Sequence, residues 1–183
     1  MSRSKLLKSF VAAFTVMAFI GPTIASAAAE GDVIKVTCTA EAAIDDSCRA
    51  VYYLGLDGER HAFPNEDVYL SWYENFDNVI DIDEAEMNDL ALGKNVTLKP
   101  GVKVVKFQTD DAIYAVAEGG VLRHYLTPSL VAVDYGDDWA ERDFVVMPDT
   151  FFNDYQVGEE IDSDTDYDPV EAERGVLSID DNF

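Results

Sequence analysis

The sequence predicts an α+β domain made of two tandem copies of one unit, because an internal repeat runs through most of the chain. Three blocks return at offsets of 62, 63 and 65 residues: 51–54 as 113–116, Arg60-His61 as Arg123-His124, and 79–93 as 144–158. A repeated unit that buries its apolar face against its own copy is first of all an architecture. We therefore predict copies over 33–98 and 102–161, with mainly antiparallel pairing and pseudo-twofold symmetry.

Each copy is predicted to run as a β-hairpin, a helix, a strand and a short helix. Asp57-Gly58 and Gly119-Gly120 mark the two hairpin turns, because glycine accepts the positive φ that tight turns need. The predicted hairpin strands are 50–54 with 60–63 and 112–116 with 121–126, and further strands are predicted at 96–98 and 102–107, between the copies.

Capping residues predict where the helices begin. Asn65 and Thr127 stand where the hairpins end, and Pro128 follows Thr127 at a helical position that tolerates proline. Asp83 with Glu86 fits a capping box for the short helix of the first copy. The sequence therefore predicts helices that begin next to residues 65, 83 and 127.

Residues 1–27 have the features of a signal peptide. A basic stretch, an apolar run and a small-residue cleavage motif occur in the expected order, at 3–8, 10–20 and 25–27. Cleavage is expected after Ala27, with Ala29 as the alternative site, and a retained N-terminal anchor is the alternative to cleavage. Because no second apolar stretch is long enough to span a bilayer, we expect no membrane span in the mature chain. We expect an exported protein of the cell envelope or the extracellular medium.

Acidic residues dominate the exported part. The sequence has 36 acidic and 13 basic residues. All 36 acids but only 10 of the basic residues lie beyond residue 27, so the net charge of the mature chain is −26. Binding to nucleic acid or anionic lipid needs clustered Lys and Arg, so neither is an expected partner. A hydrated acidic surface is the favoured interpretation, and attraction of cations, Ca²⁺ above all, is the alternative.

Cys38 and Cys48 are the only cysteines, and both lie in the exported part. An even count in an oxidising compartment predicts a disulfide. The first copy has nine more residues than the second between its first two strands, and both cysteines lie in or beside this insertion. Pairing of those strands would bring the thiols together. Redox catalysis is disfavoured, because no Cys-x-x-Cys motif is present.

Residues 162–183 are predicted to form an acidic, mobile C-terminal tail. Five of its carboxylates have the spacing of a calcium-binding loop: Asp162, Asp164, Asp166, Asp168 and Glu173. Tyr167 stands where such a loop needs glycine, and Pro169 stands where it needs an apolar residue. A solvated acidic run is therefore the favoured interpretation. No cofactor is expected, and Ca²⁺ bound by these carboxylates is the alternative.

Most of the aromatic residues are expected to lie in the core. Tyr53 is the best candidate for an exposed ligand-binding aromatic, because on a strand it must point away from the face of Tyr52. His61 and His124 occupy matching places beside arginines, but duplication explains the match as well as catalysis does. We assign no catalytic residue, since the sequence contains no nucleophile elbow and no zinc-type histidine cluster.

Several segments resemble a repeat module of exported bacterial cell-surface and envelope proteins. The resemblance covers about residues 33–170, and its most specific segments are 38–48, 50–55, 57–66, 99–102, 113–116 and 119–123. Such modules often stand beside other extracellular domains and have no assigned activity, so the resemblance implies no catalytic residue.

These observations lead us to expect a secreted, non-enzymatic envelope or surface module with a structural or partner-binding role. The expected partner is an envelope or extracellular protein or a polysaccharide. One alternative is a Ca²⁺-responsive extracellular binding protein that uses the acidic tail. A further alternative is a small extracellular hydrolase.

Overall fold

The computed structural model describes residues 27–183 of the chain. The predicted signal peptide, residues 1–27, lies outside the described residues except for Ala27. Within the described part, no helix combines the length and the apolar character needed to cross a membrane. The described residues form an α+β fold with two mixed, mainly antiparallel sheets and short helices, and the predicted fold class is confirmed.

The first sheet contains the strands β1 (Val33–Val36), β2 (Tyr52–Leu54), β3 (Arg60–Ala62) and β4 (Val79–Ile82). Their order across the sheet is β3-β2-β1-β4. Strand β1 is antiparallel to β2 and parallel to β4, and β2 with β3 forms an antiparallel hairpin.

The second sheet contains the strands β5 (Val104–Phe107), β6 (Tyr114–Ala117), β7 (Val121–His124), β8 (Phe144–Met147) and β9 (Gln156–Val157). Their order is β8-β5-β6-β7-β9. Strand β5 is antiparallel to β6 and parallel to β8, as β1 is to β2 and β4. Both predicted hairpins are confirmed, and Gly58, Gly119 and Gly120 at their turns have φ values of 78°, 74° and 65°.

The α-helices of the described part are α1 (Glu66–Trp72), α2 (Glu84–Asp89), α3 (Pro128–Tyr135), α4 (Trp139–Arg142) and α5 (Pro169–Gly175). Its 3₁₀ helices are Ser47–Arg49, Asp149–Asp154 and Ile179–Asn182. The predicted caps of α1 and α2 are confirmed, because the side chains of Asn65 and Asp83 accept hydrogen bonds from N–H groups of the first turn. Thr127 precedes α3 without such a bond. The strand predicted at 96–98 does not form, although its side chains are buried.

The two sheets share one ladder register. The same three positions meet in each sheet: Val33 with Tyr53 and Val79 in the first, and Val104 with Ala115 and Phe144 in the second. Within the hairpins, His61 lies opposite Tyr53, and Arg123 lies opposite Ala115. The strand pairing therefore makes Arg123 the counterpart of His61. The sequence repeat, which pairs His61 with His124, is shifted from this pairing by one residue. Descent of the two halves from one ancestral unit stays a prediction.

Three apolar clusters stabilise the fold. The shared core takes side chains from both sheets, and a separate outer cluster lies on the far face of each sheet. Representative members are Val33, Tyr69 and Leu122 for the shared core, Ile34, Leu54 and Met87 for the first outer cluster, and Val104, Ala115 and Val131 for the second outer cluster.

The two halves pack head to tail, so the predicted pseudo-twofold arrangement is wrong. Val33 faces the shared core, but its ladder counterpart Val104 faces the second outer cluster. The next residues are reversed, because Ile34 faces the first outer cluster and Val105 faces the shared core. A twofold axis would bring the same patch of each half together. Instead, the α1 side of the first sheet packs against the side of the second sheet that faces away from α3.

The acidic segment 162–183 is folded onto this body, so the expectation of a mobile tail is wrong. Apolar residues among the acids provide the physical reason. Tyr167 joins the second outer cluster, and Ile179 joins the shared core. The side chain of Asn182 is buried and bonds to Thr97 and to the turn between β6 and β7. The segment therefore has enough anchors to hold its place while most of its carboxylates stay at the surface.

Candidate functional site

A cleft of about 380 Å³ opens on the far face of the first sheet. We name it the loop cleft, because the disulfide-closed loop 38–48 lines one part of it. Helix α2 and the first three strands provide other lining residues. Representative lining residues are Thr37, Thr39, Tyr52, Arg60, Met87 and Asn88.

A disulfide between Cys38 and Cys48 closes the loop, and the predicted pairing is confirmed, with the two Cα atoms 5.3 Å apart. Asp46 Oδ1 accepts a hydrogen bond from Cys48 N. The guanidinium of Arg49 donates to two backbone carbonyls inside the loop. The disulfide-closed loop 38–48 is therefore a fixed wall of the cleft.

Arg60, at the start of β3, provides the guanidinium of the loop cleft. Its Nη1 donates to Met87 O at 2.8 Å, and its Cζ lies 5.3 Å from the centroid of the Tyr52 ring. Its Nε is buried and has no hydrogen-bond partner among the described residues. Within that part of the chain, Arg60 also takes part in no ion pair. The Nε edge of the guanidinium is therefore a donor without an acceptor.

The equivalent face of the second sheet is closed. Leu122 is the ladder counterpart of Arg60, because Leu122 lies opposite Val116 as Arg60 lies opposite Leu54. Leu122 is fully buried in the shared core, against side chains of the first half. The same ladder position is thus part of an apolar core in one sheet and part of a polar cleft in the other.

The first residue after the predicted cleavage site lies at the same face. Ala28 packs on the first outer cluster, to which Met87 of the loop cleft also belongs. Its backbone N donates to Glu86 Oε1 at 2.8 Å. Cleavage after Ala27 would convert this amide into an ammonium group and the hydrogen bond into an ion pair. Cleavage after Ala29 would remove this contact.

Tyr53 is buried, so the prediction of an exposed ligand-binding aromatic is wrong. It is 5% exposed and belongs to the shared core. Its hydroxyl donates to the carboxylate of Asp180. Burial, and secondarily this carboxylate, raise the pKa of Tyr53 well above its ordinary value. Tyr52 and Tyr53 do face opposite sides, but the C-terminal segment covers the side of Tyr53.

The two histidines have different surroundings and do not form one site. His61 is 2% exposed, with Nδ1 at 2.9 Å from Lys94 O and Nε2 at 3.2 Å from Asp57 Oδ1. The side chain of His124 is one-third exposed. His61 therefore links the hairpin turn to the segment after α2. A hydrogen bond from the backbone N of Glu59 lowers the pKa of Asp57, and the hydrogen bond with His61 lowers it further.

Three carboxylates of the predicted calcium loop, those of Asp166, Asp168 and Glu173, are engaged in other contacts. In residues 27–183, no group of three or more His, Cys, Asp or Glu residues is arranged to hold a metal ion, so the structure does not gather Asp162, Asp164, Asp166, Asp168 and Glu173 into such a group. Asp166 Oδ2 accepts from the backbone N of residues 162 and 163, which lowers the pKa of Asp166. Asp168 caps α5, and Glu173 pairs with Lys99 at 2.9 Å.

Asp134 lies where the C-terminal segment covers α3. The hydroxyl of Tyr125 donates to Asp134 Oδ2 at 2.6 Å. Burial raises the pKa of Asp134, and the negative charges of Asp168 and Asp164 raise it further. This end of the molecule therefore holds a carboxylate that is less acidic than usual and is engaged with a tyrosine.

Sequence reasoning missed Arg60 as a cleft residue. The sequence repeat pairs Arg60 with Arg123 at an offset of 63, whereas the ladder pairs Arg60 with Leu122 at an offset of 62. With the offset of 62, the replacement of leucine by arginine would have been visible as a signal. Comparisons with family models, with curated proteins and with solved structures find no match for this chain.

Proposed function

We propose that this protein is an exported, non-enzymatic module of the cell envelope or cell surface that binds a partner through the loop cleft. The observation that carries the proposal is the contrast between equivalent faces of the two sheets. One face is sealed in the shared core around Leu122, and the other carries a cleft with Arg60. Concave sites with a few convergent polar groups are the usual places for ligands.

Two features support export. The disulfide between Cys38 and Cys48 fits an oxidising compartment outside the cytoplasm. The small-residue motif 25–27 is followed by Ala28, whose backbone N already faces a carboxylate. Both features suit a chain that is processed and then folds after export.

The surroundings of His61 support a structural role for this histidine. Each ring nitrogen faces an acceptor, the carbonyl of Lys94 on one side and the carboxylate of Asp57 on the other. The ring also stacks on Phe183, with the two centroids 4.0 Å apart. A ring held in this way has a structural role, because both of its nitrogens already face acceptors within the fold.

Site-specific photo-crosslinking tests the proposal. A photoreactive residue is placed at Asn88, in the lining of the loop cleft, or at Val133, which is 63% exposed on α3. The mature protein is then exposed to cell-envelope fractions and to secreted polysaccharide of the producing cells. We expect a discrete crosslinked species from position 88 and none from position 133. Thr39→Trp, which fills the cleft, should abolish that species.

The same experiment has clear contrary outcomes. Identical crosslinks from both positions would show that contact is unspecific. A crosslink from position 88 that survives Thr39→Trp would place binding outside the cleft. Absence of any crosslink with every fraction would remove the binding role of this face.

A further inference from the structure

We propose that the outer edge of β8 pairs with the β8 edge of a second copy of this chain and forms a twofold dimer. Strand β8 contributes no residue to the loop cleft, so this contact is separate from the proposed binding function. Among the strands of residues 27–183, β8 has the outer edge that lacks a protective feature.

The backbone groups of β8 that face away from β5 are free. Along a strand, successive residues direct their backbone groups to alternate sides. Met147 O accepts a hydrogen bond from Gln108 N and so faces β5. The groups of Val145 face β5 as well, whereas those of Phe144 and Val146 face outward. Within residues 27–183, the backbone N–H and C=O of Phe144 and Val146 form no hydrogen bond, so this edge offers two donors and two acceptors.

The other outer edges of the two sheets are protected in ways that natural edge strands use. The segment 91–96 bonds to the edge of β3, and β9 has only 2 residues. In β4, Val79 N is bonded to Phe76 O. Asp81 also places a charge in β4, where it pairs with Lys35. Strand β8 has four uncharged residues and none of these features.

The difference between β4 and β8 lies at one ladder position. Lys35 lies beside Asp81 in the first sheet, and Lys106 lies beside Val146 in the second sheet. Val146 is 50% exposed, and Lys106 bonds to Asp111 instead. An open, apolar strand edge is a template for pairing with another strand. The second sheet therefore has a docking edge where the first sheet has an ion pair.

A second copy fits this edge by symmetry. In an antiparallel pair centred on Val145, Phe144 of each copy lies opposite Val146 of the other, and opposite residues of this kind exchange two hydrogen bonds. Phe144 packs against the second outer cluster, and Val146 projects from the same face of the strand. Each Val146 would therefore be covered by Phe144 of the other copy. The contact is the same from both sides, so it closes as a dimer and joins two five-stranded sheets.

The negative charge of the chain gives this contact a recognisable salt dependence. Two copies with a strong negative net charge repel each other, and added salt screens the repulsion. Association should therefore tighten as sodium chloride is raised from about 0.05 M to about 0.5 M. A basic segment of another protein on the same edge would show the opposite dependence, because salt would weaken its attraction.

Sedimentation velocity of the mature protein tests the pairing. At about 100 μM in the higher salt, we expect a dimer. Val146→Asp copies the residue that the first sheet has at this position and should weaken the dimer at least about a hundredfold, because like charges then meet at the contact. Val133→Asp is the matched control, since it adds the same charge at a site on α3 that is 63% exposed. This control should form dimers as the native chain does.

Hydrogen exchange followed by NMR locates the contact. The amides of residues 144 and 146 should be protected at concentrations where the dimer forms and should exchange rapidly after dilution. In Val146→Asp both amides should exchange rapidly at every concentration. The amide spectrum of each variant shows whether its fold is native.

Several results would overturn the pairing. A native protein that stays monomeric at every salt concentration excludes the second copy, and a dimer that Val146→Asp leaves intact has its contact elsewhere. A monomer whose amides 144 and 146 become protected by an envelope protein would make the occupant a strand of that protein. The crosslink from position 88 is a separate readout, so the proposed function stands or fails independently of these results.

Discussion

Leu122 and Arg60 occupy the same ladder position in the two sheets of one molecule, but the molecule buries only Leu122 completely. Leu122 lies in the shared core, whereas Arg60 lines the loop cleft. The backbone around the two residues is paired in the same way. Strand pairing therefore does not explain why only Leu122 is completely buried. The elements that pack against each residue explain it. The first half covers Leu122, while the disulfide loop and α2 border Arg60.

The difference teaches what head-to-tail packing demands of a two-unit protein. Two units packed in this way have one buried interface and two outer ends. Each outer end presents a face whose counterpart in the other unit is buried at the interface. The insertion 38–48 lies at the end of the first half, and residues of the C-terminal segment cover the end of the second half. The loop 38–48 and the C-terminal segment are thus located at opposite ends of the two-sheet body.

The largest effect is expected from Leu122→Arg, which gives the second sheet the residue that the first sheet has. The change places an unpaired charge in the shared core, so the free energy of unfolding should fall by more than about 4 kcal/mol, or folding should fail. Urea denaturation followed by tryptophan fluorescence measures the loss.

The reverse change, Arg60→Leu, is the matched control for Leu122→Arg. It removes a buried unbonded donor and adds an apolar side chain, so stability should stay within about 1 kcal/mol of the native value. A loss above about 3 kcal/mol in this variant would show that Arg60 is part of the structural core, and the comparison of the two faces would fail.

The second prediction concerns Ile179, which links the C-terminal segment to the shared core. Ile179→Ala should lower the free energy of unfolding by about 3.5 kcal/mol, because it leaves a cavity among buried side chains. Leu177→Ala is the control, since Leu177 is 89% exposed and should change stability by less than about 0.5 kcal/mol. Equal, small losses in both variants would restore the prediction of a mobile tail.

The third prediction concerns the disulfide at the other end. Replacing both Cys38 and Cys48 by Ser should cost roughly 2.5 kcal/mol, the value expected for opening a ring of about ten residues in the chain-entropy model. Thermal unfolding with and without reductant measures the loss. Reductant should destabilise only the native chain, and an equal shift in the Ser variant would assign the effect to something other than the disulfide.

The smallest effect is expected from Asp134→Asn. The raised pKa of Asp134 means that the native state binds a proton more readily than the unfolded state, so stability is lost as pH rises above about 4. Asparagine keeps an oxygen that accepts the hydrogen bond from Tyr125. Because it carries no charge, it does not lose stability as the pH rises. At pH 7 the variant should be more stable by about 0.5 kcal/mol after allowance for solvent screening. At pH 3 the two proteins should be equally stable, and a gain that persists there would contradict the electrostatic cause.

Local signals in the sequence were sufficient for much of the fold. The glycines of the two hairpin turns and the caps Asn65 and Asp83 act within a few residues, so their effects can be predicted without knowledge of the tertiary structure. The disulfide was predicted from the even cysteine count, and the difference in loop length between the predicted copies supported it. These signals gave the fold class, both hairpins and the start of two helices.

The faces that each sheet buries could not be predicted in the same way. A strand with apolar residues on both sides, such as β1 or β5, does not reveal which side meets the other half. The twofold arrangement was the simplest choice, and it failed for this reason. Tyr53 was misplaced because its cover comes from Asp180, which is 127 residues away in sequence.

The head-to-tail packing of the two halves has a consequence for how many such units can assemble. Two different surfaces meet at such a joint, so the contact does not close on itself, and identical contacts can in principle propagate without limit. Here the disulfide-closed loop 38–48 lies at one end of the two-sheet body, and Tyr167 with α5 lies at the opposite end. The disulfide-closed loop and the anchored final residues therefore lie where a further unit of such a series would have to pack.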